Sequence, residues 1–69
     1  MTTALPQQVL LLELLVMSGD IAVSDNEKYE ILHRTLNECI DKGWVTANRF
    51  GAGFNKVSVT EAGRAKVIP

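Results

Sequence analysis

The first pattern of apolar residues along the chain predicts a helix. In the segment Pro6–Ser18, apolar side chains cover nearly every direction around a helical axis, and Gln7, Gln8 and Glu13 are almost the only polar residues. Proline suits the first turn of a helix, and Gly19 is a natural place for the helix to end. An ordinary surface helix instead has one apolar stripe and one polar face. This helix therefore carries more apolar surface than one contact with the rest of a small domain would cover.

Two interpretations explain the apolar surface of this first helix. In one, the helix forms the interface of a homodimer, with Leu11, Leu12 and Leu15 as contact residues. In the other, it is a central core helix that the rest of the chain surrounds. The homodimer is the working prediction, because a domain of this size has little other structure with which to cover the second side of the helix.

The next segments predict a short strand and a second helix. Alternation in Ile21–Ser24 suits a strand that pairs beside a later hairpin. Ser24 followed by Glu27 is a capping-box signature, so a helix is expected from about Asp25 to Lys42, with Gly43 as its end. Apolar residues at spacings of three and four predict one buried stripe on this helix, made of Tyr29, Leu32, Leu36, Cys39 and Ile40.

After the second helix the apolar period changes to two, which predicts a β-hairpin. Its strands are Trp44–Arg49 and Asn55–Thr60, joined by the loop Phe50–Phe54. The loop contains two glycines, which supply the positive-φ positions that a hairpin turn needs. Thr60 is expected to cap a last short helix, Glu61–Val67. Helices with a C-terminal hairpin give an α+β fold class.

Composition narrows the class of protein. Sixty-nine residues make one domain, residues 1–69, which buries only a modest fraction of its surface. The single cysteine, Cys39, excludes an internal disulfide, and one histidine, His33, adds too few ligands for a structural zinc site. We expect no metal, no cofactor and no enzymatic activity, because the chain lacks a constellation of catalytic groups. A partner subunit is the remaining way to stabilise so small a core.

Charge and hydropathy indicate the compartment and limit the partners. The formal net charge is −1, which argues against avid non-specific binding to nucleic acid, although a local basic patch would be enough for binding. No Lys or Arg precedes the first apolar run, so no secretory signal is expected. Glu13 interrupts that run, which is also too short to cross a bilayer. The expected location is cytoplasmic.

Three segments in the second half of the chain carry a family resemblance. They read LNECIDKGWVT, RFGAGFNK and VSVTEAGRAKV. In this order and spacing they resemble the end of the recognition helix, the wing tip and the closing strand and helix of winged helix-turn-helix transcription regulators, including bacterial and archaeal regulators of MarR and PadR type. The resemblance implies a small winged helix that binds double-stranded DNA in transcriptional regulation.

The chain departs from that family between its first helix and the hairpin. The family usually has two helices there, separated by a tight turn, and the stretch from Gly19 to Gly43 is a few residues too short for both. Either the first helix of the pair is reduced to one turn near Asp25–Lys28, or the two helices are fused. The difference matters because the turn presents the N-terminal residues of the recognition helix to the major groove.

The second helix offers candidate DNA-binding residues. Arg34 and Asn37 suit base edges, since Arg pairs with guanine and Asn with adenine, and His33 could reach a phosphate. The alternative is an ordinary solvated helix face with i,i+4 ion pairs. Four acidic residues favour that alternative because they would repel phosphates, namely Glu27, Glu30, Glu38 and Asp41.

The hairpin offers the other candidates. Arg49, Asn55 and Lys56 flank its loop, and no acidic residue occurs between Lys42 and Glu61. Arg49 could enter the minor groove and Lys56 could contact phosphate. The alternative is a polar hairpin that only keeps the chain soluble.

Aromatic residues support a rival function. Phe50 and Phe54 lie in the loop, where they either mark a contact surface for a protein partner or fold back to clamp the hairpin onto the core. Trp44 is expected in the core, and Cys39 is expected as a packed small hydrophobic residue. The rival to DNA binding is therefore a winged helix used as a protein-interaction module.

Overall fold

A computed structural model describes residues 3–68, and within them the chain is a small α+β domain. It contains three helices and one three-stranded antiparallel sheet. The elements are, in chain order, α1 (Pro6–Ser18), β1 (Ile21–Ser24), α2 (Glu30–Asp41), β2 (Val45–Arg49), β3 (Phe54–Val59) and α3 (Glu61–Arg64). The predicted helix–strand–helix–hairpin–helix order is confirmed.

The sheet has the order β1-β3-β2, so the first strand pairs beside the hairpin as its alternation predicted. Ile21 lies opposite Val57, and Val45 lies opposite Val59. Since successive residues of a strand point to opposite faces, these apolar positions share the face that packs on the helices. Exposed residues such as Thr46 lie on the other face, which is the usual arrangement for an antiparallel sheet with one solvated side.

The core lies between this face of the sheet and the helices. Trp44 and Cys39 are buried, with 4% and 0% of their surfaces exposed, and both predictions for them are confirmed. Burial raises the pKa of the Cys39 thiol, with a smaller contribution from the nearby charge of Glu38. The buried apolar residues are Leu11, Leu12, Leu15, Val23, Leu36, Cys39, Trp44, Val45 and Val57.

A buried glutamine joins the first two helices. Gln8 is only 2% exposed. Its Oε1 accepts a hydrogen bond from the backbone N–H of Leu5 at 2.9 Å, which caps the start of α1, and its Nε2 donates to Glu38 Oε1 at 3.0 Å. Both polar ends of this side chain are therefore satisfied inside the domain.

Helix α1 has the predicted bounds, but its predicted interface residues are wrong. Leu11, Leu12 and Leu15 are 4%, 0% and 1% exposed because they pack into the core of their own chain. Leu12 and Leu15 cannot contact a second copy while the domain is folded, and Leu11 reaches the surface only at the floor of a groove between α1 and α2. The apolar residues that α1 leaves in solvent are Leu10 and Leu14, together with Met17 at 81% exposed.

Helix α2 begins at Glu30, five residues after the predicted start at Asp25. The Ser24 side chain, which is expected to cap a helix at Asp25, instead accepts a hydrogen bond that stabilises a turn. The Ser24 hydroxyl accepts from the backbone N–H of Asn26 at 3.1 Å. The Asn26 side chain then accepts from the N–H of Lys28 at 3.0 Å. Such local bonds hold the chain in turns and compete with a helix.

Strand pairing is a second reason why α2 begins after Asp25. Ser24 lies opposite Phe54, and the backbone N–H of Asp25 donates to the Gly53 carbonyl at 2.9 Å, which keeps this segment extended along the hairpin. The stretch between β1 and α2 is therefore a turn, and α2 is one continuous helix. The one-turn helix considered near Asp25–Lys28 is absent, since that segment contains only a turn.

The predicted buried stripe of α2 is partly wrong. Leu36 and Cys39 are buried, but Leu32 and Ile40 are each 37% exposed and Tyr29 is 53% exposed. Tyr29 precedes the helix, so the helical spacing does not apply to it. Thr35 is buried instead, because it lies on the side that faces α1.

The hairpin and the last helix follow the prediction with small shifts. Gly51 and Gly53 have φ of 70° and 80°, the left-handed conformation that the loop requires. Thr60 caps α3, since its side chain accepts a hydrogen bond from the backbone N–H of Gly63. The helix ends at Arg64 and continues only as a turn, so the predicted end at Val67 is three residues too far.

Candidate functional site

Asp25 brings together two of the predicted hairpin residues. Its carboxylate accepts hydrogen bonds from the Arg49 guanidinium and from the Asn55 side-chain amide, and the Arg49 contact is also an ion pair. Arg49 and Asn55 lie opposite each other on β2 and β3, so they share one face of the hairpin. The hydrogen bond from Arg49 is the main cause that holds the pKa of Asp25 below its ordinary value.

Two residues of α2 lie at the same place. His33 and Asn37 line a concavity of about 370 Å³ with Asp25 and Asn55. His33 Nε2 lies 2.6 Å from the Ser24 carbonyl oxygen, so this nitrogen donates the proton and orients the ring. The structure thus gathers His33, Asn37, Arg49 and Asn55, which the sequence placed on separate elements.

Arg34 lies apart from this concavity, on the outward face of α2. It is exposed, as are Glu30 and Asp41 on the same face. Residues three and four apart on a helix are neighbours, so each of these acids is close to a candidate DNA-binding residue. The outward face of α2 is consequently polar and mixed in charge rather than basic.

Lys56 points to the opposite face of the sheet from Arg49. It pairs with Ala22 and Asn48 in neighbouring strands, and its Nζ lies 3.7 Å from an Asp20 carboxylate oxygen. Both partners of this pair are about half exposed, so the pair contributes little to stability. The two basic residues of the hairpin therefore lie on different sides of it.

The hairpin contains no acidic residue in its own sequence, but two acidic residues lie beside it in the folded structure. Asp20 and Asp25 flank β1, and the pairing of β1 with β3 places them beside Lys56 and Arg49. The sequence interpretation missed both acids because it counted charges only between Lys42 and Glu61. The alternating Ile21–Ser24 segment was the available signal, since a strand beside the hairpin must bring its flanking acids with it.

Helices α1 and α2 form a second candidate surface. The α1–α2 groove has a volume of about 240 Å³. Within the described residues, no charged side chain lines it. Its lining residues are Gln7, Leu10, Leu11, Leu14, Ile31, Leu32 and Thr35.

The aromatic residues of the hairpin loop remain in solvent. Phe50 and Phe54 are 56% and 45% exposed. The alternative in which they fold back to clamp the core does not describe these rings. They are available for contact with another molecule.

Two further features bear on the class of protein. In residues 3–68, no group of three His, Cys, Asp or Glu side chains is arranged to hold a metal ion. None of the helices of this part of the chain combines the length and apolarity that crossing a bilayer needs.

Comparisons with protein-family models, with curated proteins and with solved structures find no match for this chain. What its surfaces do must be inferred from their own side chains and geometry.

Proposed function

We propose that this chain is a winged-helix protein that binds double-stranded DNA in transcriptional regulation. The observation that supports this proposal most is the placement of α2 and the hairpin. Helix α2 leads through a turn at Gly43 directly into β2, and the sheet order β1-β3-β2 brings the hairpin beside the start of α2. A helix for the major groove and a hairpin for the adjacent backbone or minor groove would then act together, with Arg49 and Asn55 on one face of the hairpin and Lys56 on its other face.

Each candidate residue has a role in this proposal. Arg34 and Asn37 approach base edges, and Arg49, Asn55 and Lys56 contact the backbone or the minor groove. His33 already donates a hydrogen bond to the Ser24 carbonyl oxygen. Its contribution in this proposal is therefore to position the start of α2 rather than to contact phosphate.

The ion pairs of the hairpin are compatible with DNA binding because they are exposed. The Arg49 side chain is 65% exposed and that of Asp25 is 40% exposed. An exposed ion pair is screened by solvent and contributes little to stability, so a phosphate can replace the carboxylate at little cost. Asp25 nevertheless lowers the positive potential of the hairpin, and we expect weak binding to random DNA at physiological salt.

The test is a fluorescence anisotropy titration of a labelled random-sequence duplex and of duplexes enriched by repeated selection, each at two salt concentrations. Wild-type affinity should fall steeply as salt rises. Arg34→Ala should weaken binding to the enriched duplexes more than to random DNA, because it removes a base contact. Lys56→Ala should weaken both alike and lower the salt slope by about one unit.

Arg64→Ala is the matched control. It removes the same charge from α3, which lies at the base of the hairpin, beyond the end of β3 that is farthest from the loop. It should leave the salt slope unchanged. Equal affinity of wild type, Arg34→Ala and Lys56→Ala for every duplex would exclude the proposal.

The second candidate function is a protein-interaction module, and the exposed loop aromatics favour it. Phe50 and Phe54 present apolar area at the end of the hairpin, where DNA phosphates would need basic residues. A module of this kind would pass through a heparin column at low salt. A DNA-binding domain would be retained and would elute as salt rises.

A further inference from the structure

The α1–α2 groove is bordered by exposed apolar side chains. Of its rim residues, Leu10 is 67% exposed and Ile31 is 62% exposed. Leu14 and Leu32 retain 44% and 37% of their surfaces in solvent. Covering the apolar surface that these four side chains still expose would stabilise the domain further. Contiguous apolar surface of this kind marks a contact site.

The groove and its rim are complementary to each other. Leu10 and Leu14 form a ridge on α1, and Ile31 and Leu32 form the opposite wall on α2, with buried Leu11 and Thr35 at the floor. A groove of about 240 Å³ has room for leucine side chains. The same surface thus offers both the ridge and the cavity that a two-fold interface needs, in which residue i of one copy meets residue j of the other and the reverse.

We infer that the α1–α2 groove is the contact surface of a homodimer. Leu10 and Leu14 of each copy insert into the groove of the other, between Ile31 and Leu32. The lack of charge in the lining favours an apolar partner over a polyanion or an acidic or basic peptide. A stable interface takes about 800 Å² from each partner, which is about one sixth of the 4730 Å² accessible surface of this chain.

The size of the chain supports the same occupant. A chain of 69 residues buries about 60% of the surface that its unfolded form exposes, and it has no disulfide because its one cysteine is Cys39. Pairing with a second copy extends its core across the two-fold axis. This interface replaces the one predicted at Leu11, Leu12 and Leu15, which are buried within the monomer.

The test is sedimentation equilibrium of the wild-type chain and of three variants over a wide concentration range. Leu10→Glu and Ile31→Glu place a carboxylate in the interface from two different helices. Each should weaken self-association on the order of 100-fold or more, because the carboxylate would be buried without a partner. Both positions are mostly exposed in the monomer, so the variants should keep the wild-type far-ultraviolet circular dichroism spectrum.

Phe50→Glu is the control, since it removes an apolar side chain of the hairpin loop that is also more than half exposed. It should dimerise like wild type. Isotope-filtered NOE spectra of a mixed labelled and unlabelled sample should connect methyl groups of Leu10 and Leu14 to those of Ile31 and Leu32 in the other copy.

Two results would overturn the inference. One is a wild-type chain that stays monomeric up to millimolar concentration. The other is self-association that survives Leu10→Glu and Ile31→Glu and is lost in Phe50→Glu, which would place the contact at the hairpin loop. Neither measurement involves DNA, so failure of the DNA titration and failure of this inference are distinguishable.

Discussion

A single carboxylate, that of Asp25, offsets the charge of Arg49, one of the two basic residues of the hairpin. It accepts from both Arg49 and Asn55, and its backbone N–H donates to Gly53 in the loop. Asp25 therefore attaches the hairpin to the end of β1 and also offsets the positive charge of Arg49. The Asp25 carboxylate stabilises the contact between β1 and the hairpin, but it weakens the attraction of Arg49 for DNA phosphates.

Asp25→Asn should raise the affinity for random duplex DNA. The substitution keeps a hydrogen-bond acceptor but removes the negative charge beside Arg49. We expect roughly a twofold to fivefold gain at low salt, which is the energy range of an exposed ion pair. Anisotropy titration measures it. Glu13→Gln is the control, because it makes the same change of charge at an exposed position of α1. An equal gain in DNA affinity in that variant would mean that only net charge matters.

The Asp25–Arg49 contact should also weaken in acid. The pKa of Asp25 is lowered in the folded chain, chiefly by its hydrogen bond with Arg49. The contact is therefore fully present above the ordinary Asp pKa of about 3.9 and is lost as pH falls through the lowered folded value. An NMR titration of the Asp25 carboxyl carbon should have its midpoint below that ordinary value. In Arg49→Gln the midpoint should rise, and an unchanged midpoint would contradict the assigned cause.

At the scale of the elements, the sequence determined what local pattern can determine. The bounds of α1 and the strand at Ile21–Ser24 were predicted correctly, because proline, glycine and alternation act within a few residues. The start of α2 was not, because Ser24 can bond either to a helix start or to a turn, and strand pairing with Phe54 decides between them. That pairing joins residues thirty positions apart, which no local pattern contains.

The candidate site shows the same division. The positions of Arg49, Asn55 and Lys56 on the hairpin were predicted correctly. Their charge environment was not, because Asp20 and Asp25 come from another strand. Likewise, helical spacing identified α1 as apolar on all sides but could not tell which leucines face inward, since that depends on where the sheet packs.

Gly63 of α3 packs directly against the backbone of Trp44, the residue before β2. A Cβ at this residue would lie 2.1 Å from the Trp44 carbonyl oxygen, which also accepts the backbone N–H of Thr60 at 2.9 Å. Gly63→Ala should destabilise the domain by about 1–3 kcal/mol, because backbone must move to admit the methyl group. Urea unfolding followed by circular dichroism measures it. Ala62→Ser, at the exposed neighbouring position, is the control and should change stability little. Helix propensity alone would favour Ala over Gly at residue 63, so a Gly63→Ala variant that is as stable as wild type or more stable would contradict the close contact.

At the scale of the whole molecule, the domain is compact, yet its core is too small to bury all of its large apolar side chains. Its radius of gyration is 11.4 Å, close to the value of about 11 Å expected for a packed chain of this length. The exposed apolar groove is therefore not a result of loose packing. It is surface left over after a well-packed core has formed, and a homodimer would cover it.

Dimerisation through the α1–α2 groove makes stability depend on concentration. If two folded chains bind each other and unfolded chains do not, each tenfold rise in protein concentration adds about 1.4 kcal/mol to the stability of the dimer. The thermal midpoint should then rise by about 3–6 °C per tenfold increase in concentration. Calorimetry over two decades of concentration measures this shift. Leu10→Glu should unfold at a lower midpoint that no longer changes with concentration, because only the monomer remains. A wild-type midpoint that stays constant over the same range would mean that the groove is open to solvent in the folded protein.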